Sequence, residues 1–156
     1  MIFVKQYKKI YGIFVMNQKA EKKKEINRGF NKHFFEFLGD VAKIYPENNE
    51  IKFAIRSFTN IKNLNVTLIN KVWNSHVYGP YKEIIDSKEL NDNKKIDYFL
   101  EKDYTSDLSN VGKAGEILQI VDKVKDTIRS MTPEDKKKCS GYIQNLSKLS
   151  DAYSKL

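Results

Sequence analysis

The most constraining feature of this sequence is the recurrence of apolar residues at intervals of three and four. The first such run contains Phe30, Phe34, Leu38 and Val41, and Pro46 ends it. This spacing places apolar side chains on one face of an α-helix, whereas the period-two alternation typical of strands is absent. Only three prolines and seven glycines interrupt the 156 residues, which favours long helices. The sequence therefore predicts an all-α fold.

The same spacing predicts a single compact domain of five or six helices. The predicted helices span residues 20–45, 49–63, 66–78 and 81–87, a helical turn covers 96–100, and two longer helices run over 117–131 and 133–154. Residues 2–15 are expected to form either a short strand or an apolar tail, and the polar stretches 88–95 and 103–113 to form surface loops. The third helix is expected to turn Val66 and Trp73 toward the core.

The last helix has a start signal with a physical basis. Thr132 can accept a hydrogen bond from a free backbone N–H, and Pro133 suits the first helical position. Glu134 and Asp135 favour the positive end of the helix dipole. Because the joint before this helix is short, we expect the last two helices to pack as an antiparallel hairpin.

The apolar faces of these helices are expected to pack together and form the core. Its expected members are Phe34, Leu38, Phe58, Trp73, Phe99, Val121, Ile128, Tyr142, Leu146 and Leu149. Cys139 lies on the same inward stripe of the last helix, and a buried thiol is usually unreactive. As the only cysteine, it excludes an internal disulfide and a multi-cysteine zinc site. An intracellular location is therefore expected, rather than secretion.

Positive charge is concentrated at the start of the chain. Seven of the eight net positive charges lie in the first 32 residues, and the remaining 124 residues hold 19 basic and 18 acidic groups. A basic arm on a nearly neutral body is typical of an attachment device, because it attracts phosphate or acidic surfaces. We therefore divide the chain into a peripheral basic arm, residues 1–28, and a helical domain, residues 29–156.

Two translation starts fit the N-terminal sequence. The chain begins with Met1, but Met16 is an alternative start that would make residues 1–15 an upstream extension. In that case the remaining basic segment, residues 16–32, carries a net charge of +4. Both alternatives keep the cationic cluster that follows Met16.

The sequence contains no recognisable catalytic constellation. His33 and His76 are the only histidines, and neither has a neighbour at the spacing that metal-binding or acid–base motifs use. A structural role is favoured for both, and for Cys139 over a nucleophilic one. Asp97, Glu101, Asp103 and Asp107 form an acidic cluster, but their spacing does not match a calcium loop, so a solvated surface is favoured. We expect no cofactor, no metal site and no enzymatic activity.

The basic residues around the start of the domain are the candidate site. They are Lys19, Lys22, Lys23, Lys24, Arg28 and Lys32. They could bind a protein partner or, as the alternative, the phosphates of a nucleic acid without reading its sequence. A second cluster, residues 136–138, is diluted by the acidic pair that precedes it. Both clusters could also be ordinary solvated helix faces.

Several blocks of the sequence occur in a familiar order. They are residues 30–38 (FNKHFFEFL), 45–48 (YPEN), 77–81 (VYGPY), 99–104 (FLEKDY) and 142–146 (YIQNL), followed by Leu149. Over roughly residues 30–155, this order resembles small, uncharacterised helical proteins of the nucleocytoplasmic large DNA viruses of algae and protists. The resemblance implies a viral source and a location in the host cytoplasm or the virion. It implies no site residues, and residues 1–15 lie outside it.

The sequence as a whole predicts a non-enzymatic interaction or structural protein, of viral or virion-associated origin, that attaches to a protein partner through its basic arm. The alternative is a sequence-independent nucleic-acid-binding protein that uses the same arm.

Overall fold

The chain begins with one long helix. In the computed structural model, which describes residues 2–104 and 112–156, helix α1 runs unbroken from Ile2 to Ile44. The strand predicted as one alternative for residues 2–15 is therefore wrong, and the segment is helical. The helix reaches Ile2 because no proline precedes Pro46. A helix whose second half is buried can lengthen toward the N-terminus without a new nucleation step. The proposed boundary between residues 28 and 29 lies inside this helix.

The second and third helices follow across short turns. Helix α2 spans Asn49–Leu64, and its cap Asn48 accepts a hydrogen bond from the Ile51 backbone N–H at 3.1 Å. Helix α3 spans Leu68–Val72, so the helix predicted over 66–78 starts two residues later than expected. Val66 lies in the turn before it and is exposed, which corrects its predicted inward position.

The third helix changes pitch at its end. It continues as a π-helical segment over Trp73–Tyr78 and a 3₁₀ turn over Gly79–Tyr81, after which α4 covers Lys82–Ile85. A Cβ atom at Gly79 would lie 2.9 Å from the Asn74 carbonyl oxygen. Glycine is therefore required here by a close backbone approach, because any larger residue would push the π-helical segment aside.

Three helices complete the fold. Helix α5 spans Asp92–Glu101, α6 spans Gly112–Arg129 and α7 spans Pro133–Ser154. The loop predicted over residues 88–95 is shorter in the structure, because α5 begins at Asp92. The Asn91 side chain caps this helix by accepting a hydrogen bond from the Lys94 backbone N–H at 2.9 Å. Most of the loop predicted over 103–113 lies outside the described residues.

The predicted start of α7 is confirmed. The Thr132 hydroxyl oxygen accepts from the Asp135 backbone N–H at 3.2 Å, and Pro133 is the first helical residue. Helix α7 packs mainly against α1, α5 and the π-helical segment, while α6 packs mainly against α2. The antiparallel hairpin of α6 and α7 stays a prediction.

All the long helices contribute to one core, which confirms the all-α single domain. Eight of the ten predicted core residues are buried; the exceptions, Tyr142 and Leu149, are partly buried against the same cluster. No strand occurs in residues 2–104 or 112–156. Within this described part of the chain, no helix has the length and apolarity needed to cross a membrane.

Candidate binding groove

A groove lies beside the middle of α1, next to the turn between α2 and α3 and the end of α7. We call it the basic groove, and its volume is about 1010 Å³. It is lined by Ala20, Lys23, Lys24, Asn27, Arg28, Asn31, Lys32, Phe35, Glu36, Lys62, Val66, Thr67 and Tyr153. This volume is at the upper end of the range for small-molecule sites, so the groove can receive a segment of a larger molecule.

A hydrogen-bonded network holds the wall of the basic groove in place. The side-chain amides of Asn27 and Asn31 both donate to the Val66 carbonyl oxygen, each at 2.9 Å. The Asn27 side-chain oxygen accepts a hydrogen bond from the side-chain amide of the fully buried Asn70 at 3.0 Å. The Ser150 hydroxyl donates to the backbone carbonyl oxygen of Asn70 at 3.1 Å. These contacts join α1, α3, α7 and the exposed turn, so the groove has a fixed shape.

The network leaves one acceptor in the groove wall unpaired. The side-chain oxygen of Asn31 is buried and accepts no hydrogen bond from any residue that the structure describes. Asn31 as a whole is only 6% exposed. A buried polar atom without a partner is unfavourable, and most such atoms in proteins are paired.

Aromatic rings and cations are paired along the groove. The Lys23 ammonium lies over the Tyr153 ring, 4.7 Å from its centre, and the Lys62 ammonium lies 5.1 Å from the centre of the Phe35 ring. Each contact is a cation–π interaction, which holds the lysine stem along the apolar surface. The groove therefore combines an apolar floor with charges fixed at its edge.

The remaining cations of the groove are exposed. Lys24, Arg28 and Lys32 point into solvent from α1, and Lys24 is 3.9 Å from Glu21 in an exposed pair. Such a surface pair has little net energy, so the lysine stays available to an anionic ligand. The lining residues include five lysine or arginine side chains and one carboxylate, that of Glu36. The groove is therefore strongly cationic.

The structure brings four of the six predicted site residues into the basic groove. Lys23, Lys24, Arg28 and Lys32 line it, whereas Lys19 and Lys22 are exposed outside its lining. Sequence reasoning missed the partners that α1 meets there, namely Asn27, Asn31, Phe35, Lys62, Val66, Thr67 and Tyr153. The cationic run of α1 was the sequence feature that predicted this site. The other walls of the groove come from elements distant in the sequence, so no local pattern indicates them.

A smaller cavity of about 380 Å³ lies on another side of α1, between α1 and α7. The Tyr142 hydroxyl donates to the Asp40 carboxylate. The Tyr142 ring stacks on the Phe37 ring, with 5.2 Å between their centres, and lies tilted against the His33 ring at 4.7 Å. His33 packs against the Tyr142 ring, and the structural role predicted for it stays a prediction.

Cys139 borders the same cavity. Its sulfur lies 3.6 Å from the Met131 sulfur, and burial, with the nearby carboxylates of Asp135 and Asp40, raises the pKa of the thiol to about 12. The thiolate is the nucleophilic form of cysteine. Folding therefore keeps the thiol protonated to a higher pH than its ordinary pKa would, and the inertness predicted for Cys139 stays a prediction.

The structure describes only part of the acidic cluster seen in the sequence. Among the described residues, no group of three or more His, Cys, Asp or Glu side chains is close enough to hold a metal ion. Asp97 and Glu101 are exposed on α5, and Asp107 lies outside the described residues.

Comparison of the chain with models of protein families, with curated proteins and with solved structures finds no match. The resemblance to viral proteins stays a prediction.

Proposed function

We propose that this protein is a non-enzymatic interaction protein whose basic groove binds an acidic, partly apolar segment of a partner polypeptide. The observation that carries the proposal is the combination of positive charge and apolar surface in one groove. Four cations of α1 (Lys23, Lys24, Arg28 and Lys32) and Lys62 of α2 line it together with Phe35, Val66 and Tyr153. Opposite charge steers association, and apolar contact provides affinity.

A polypeptide fits the groove better than a nucleic acid does. Bases bind sequence-independent proteins by stacking on open aromatic rings. Here one face of the Tyr153 ring and one face of the Phe35 ring carry lysine ammonium groups, which reduces the area open to base stacking. Ala20 and Val66 are exposed in the same lining and can still contact apolar side chains of a polypeptide.

The setting follows from the predicted resemblance. In this proposal the protein works in the host cytoplasm or the virion of a large DNA virus, and the basic arm is its attachment device. Because the arm continues into the groove along α1, Lys19 and Lys22 would attract the partner from a distance while the groove holds it.

The proposal is tested with a labelled synthetic peptide rich in glutamate and leucine. It should bind the full chain more tightly than polyglutamate of equal charge, because only the mixed peptide can cover the apolar floor. The triple variant Lys24→Gln, Arg28→Gln, Lys32→Gln should weaken binding by about tenfold or more, since three charges that face the ligand are removed. Fluorescence anisotropy measures both affinities.

A matched triple variant controls for total charge. Lys88, Lys94 and Lys137 are exposed and lie outside the groove, so their replacement by Gln should change peptide affinity little. Equal losses in both triple variants would contradict the groove as the site. Tight binding of mixed-sequence DNA at about 150 mM salt, lost in the groove variant, would favour nucleic acid instead.

A further inference from the structure

The first part of α1 extends away from the core as an isolated helix. The first buried side chain along α1, from residue 8 onward, is Asn27, and of residues 8–22 all but Val15 are exposed. Several of these exposed side chains are large and apolar: Ile10 is 61% exposed, Phe14 54% and Met16 70%. Apolar side chains clustered in this way on a solvent-exposed surface mark an interaction site.

The exposed segment has an apolar face and a cationic face. At 100° per residue, Ile10, Tyr11 and Phe14 fall on one side of the helix, with Val15 beside them. Lys8 and Lys19 fall on the opposite side, whereas Lys9 lies on the flank, between Met16 and Ile13. Ile13 and Met16 extend the apolar surface around the helix.

The charge of the segment is of one sign. No acidic residue precedes Glu21, whereas Lys5, Lys8, Lys9 and Lys19 all lie before it. A helix with aromatic and aliphatic residues on one face and lysines on the other is the pattern of helices that lie in the membrane interface. Its cations are complementary to anionic lipid headgroups.

We propose that residues 8–19 of α1 form an interfacial helix that docks on an anionic lipid bilayer, parallel to its surface. The side chains of Ile10, Tyr11 and Phe14 enter the boundary between headgroups and acyl chains. Lys8, Lys9 and Lys19 extend toward the phosphates, because long lysine side chains can place their ammonium groups at the polar layer.

A second copy of the chain fits this face less well. Two such helices would bring together cationic segments without a single carboxylate before Glu21 to compensate them. An anionic bilayer provides an apolar layer for the apolar side chains and negatively charged headgroups for the lysines, whereas a second copy of the segment provides no negative charge.

Flotation with vesicles tests the proposal on the full chain. Vesicles that contain phosphatidylserine should carry the protein upward, and vesicles of phosphatidylcholine alone should carry much less. The double variant Ile10→Ser, Phe14→Ser should lower the bound fraction at limiting lipid by about tenfold or more, because two apolar side chains no longer enter the lipid. The double variant Lys8→Gln, Lys9→Gln should weaken binding and its salt dependence.

Leu64 and Tyr98 provide the matched control, since they are exposed apolar residues of the helical body, 74% and 43% accessible. Leu64→Ser with Tyr98→Ser should leave flotation unchanged. A further variant, Phe14→Trp, adds an indole whose emission should shift to the blue on anionic vesicles, after subtraction of the Trp73 signal of the parent chain.

Three results would overturn the interfacial helix. They are failure of the full chain to float with phosphatidylserine vesicles, flotation unchanged by the Ile10 and Phe14 substitutions, and a lipid-free dimer that these substitutions dissociate. Peptide binding in the basic groove is measured without lipid, so it can fail or succeed independently.

Discussion

The Trp73 indole N–H donates a hydrogen bond to the Ser147 hydroxyl oxygen at 3.1 Å, inside the core. Trp73 lies in the π-helical segment and Ser147 in the middle of α7, and both are buried. The bond pairs the one polar atom of the largest core side chain. It therefore fixes the position of the π-helical segment on α7.

Replacement of Ser147 by Ala should destabilise the protein by roughly 1–3 kcal/mol, because it leaves the buried indole N–H unpaired. Trp73→Ala should cost about 3–5 kcal/mol through loss of its packing. Urea unfolding followed by circular dichroism measures both. Ser154→Ala, in the exposed last turn of α7, is the control and should stay within about 0.5 kcal/mol of the parent. A Ser147→Ala value as small as this would show that the bond does not stabilise the core.

Gly79→Ala should destabilise the protein by roughly 1–3 kcal/mol. The added Cβ would meet the Asn74 carbonyl oxygen at 2.9 Å, and a backbone atom cannot move aside as a flexible side chain can. Gly39→Ala is the matched substitution, because a Cβ there meets nothing within 4 Å and the residue lies inside α1. It should stabilise by about 0.5–1 kcal/mol. Thermal unfolding compares the two, and equal shifts would contradict the close approach at Gly79.

The Cys139 thiol should make the protein less stable in alkali. Its pKa rises from 9.0 to about 12 on folding, so between these values the folded state holds a proton that the unfolded state has lost. The free energy of unfolding should therefore fall as pH increases from about 9 toward 12, and be unaffected by this group below about pH 8. In Cys139→Ala the fall should be shallower. Urea titrations at a series of pH values compare the two slopes, and identical slopes would exclude the thiol as a cause.

The same thiol gives a chemical readout. Alkylation of native Cys139 near pH 8 should be at least about a hundredfold slower than in urea, because the thiolate is the reacting species and burial suppresses it. Rapid labelling of the folded protein would show that the thiol is accessible and ionised.

Periodicity in the sequence was sufficient to predict the parts of the fold that bury apolar faces. The helices around Phe34, Phe58 and Leu146 pack as predicted, since a stripe of apolar residues has only one favourable side to turn inward. Thr132 was predictable as a cap because its effect is local.

The remaining features depend on contacts that periodicity does not encode. The first part of α1 has no apolar stripe packed on the core, so its helix follows from continuity with the buried half. The π-helical segment depends on the close approach at Gly79. The basic groove brings Lys62, Val66 and Tyr153 to α1 from distant parts of the sequence, and only the tertiary fold can assemble them.

The continuity of α1 has a geometric consequence. Ile10 and Arg28 are separated by about five turns of one helix, so they point in the same direction and lie roughly 27 Å apart. A single inserted residue between them would rotate one position relative to the other by about 100°. Helix α1 therefore has a defined register. In the two proposals, the polypeptide that contacts Arg28 and the bilayer that contacts Ile10 lie on the same side of this helix, at a distance set by the number of residues between them.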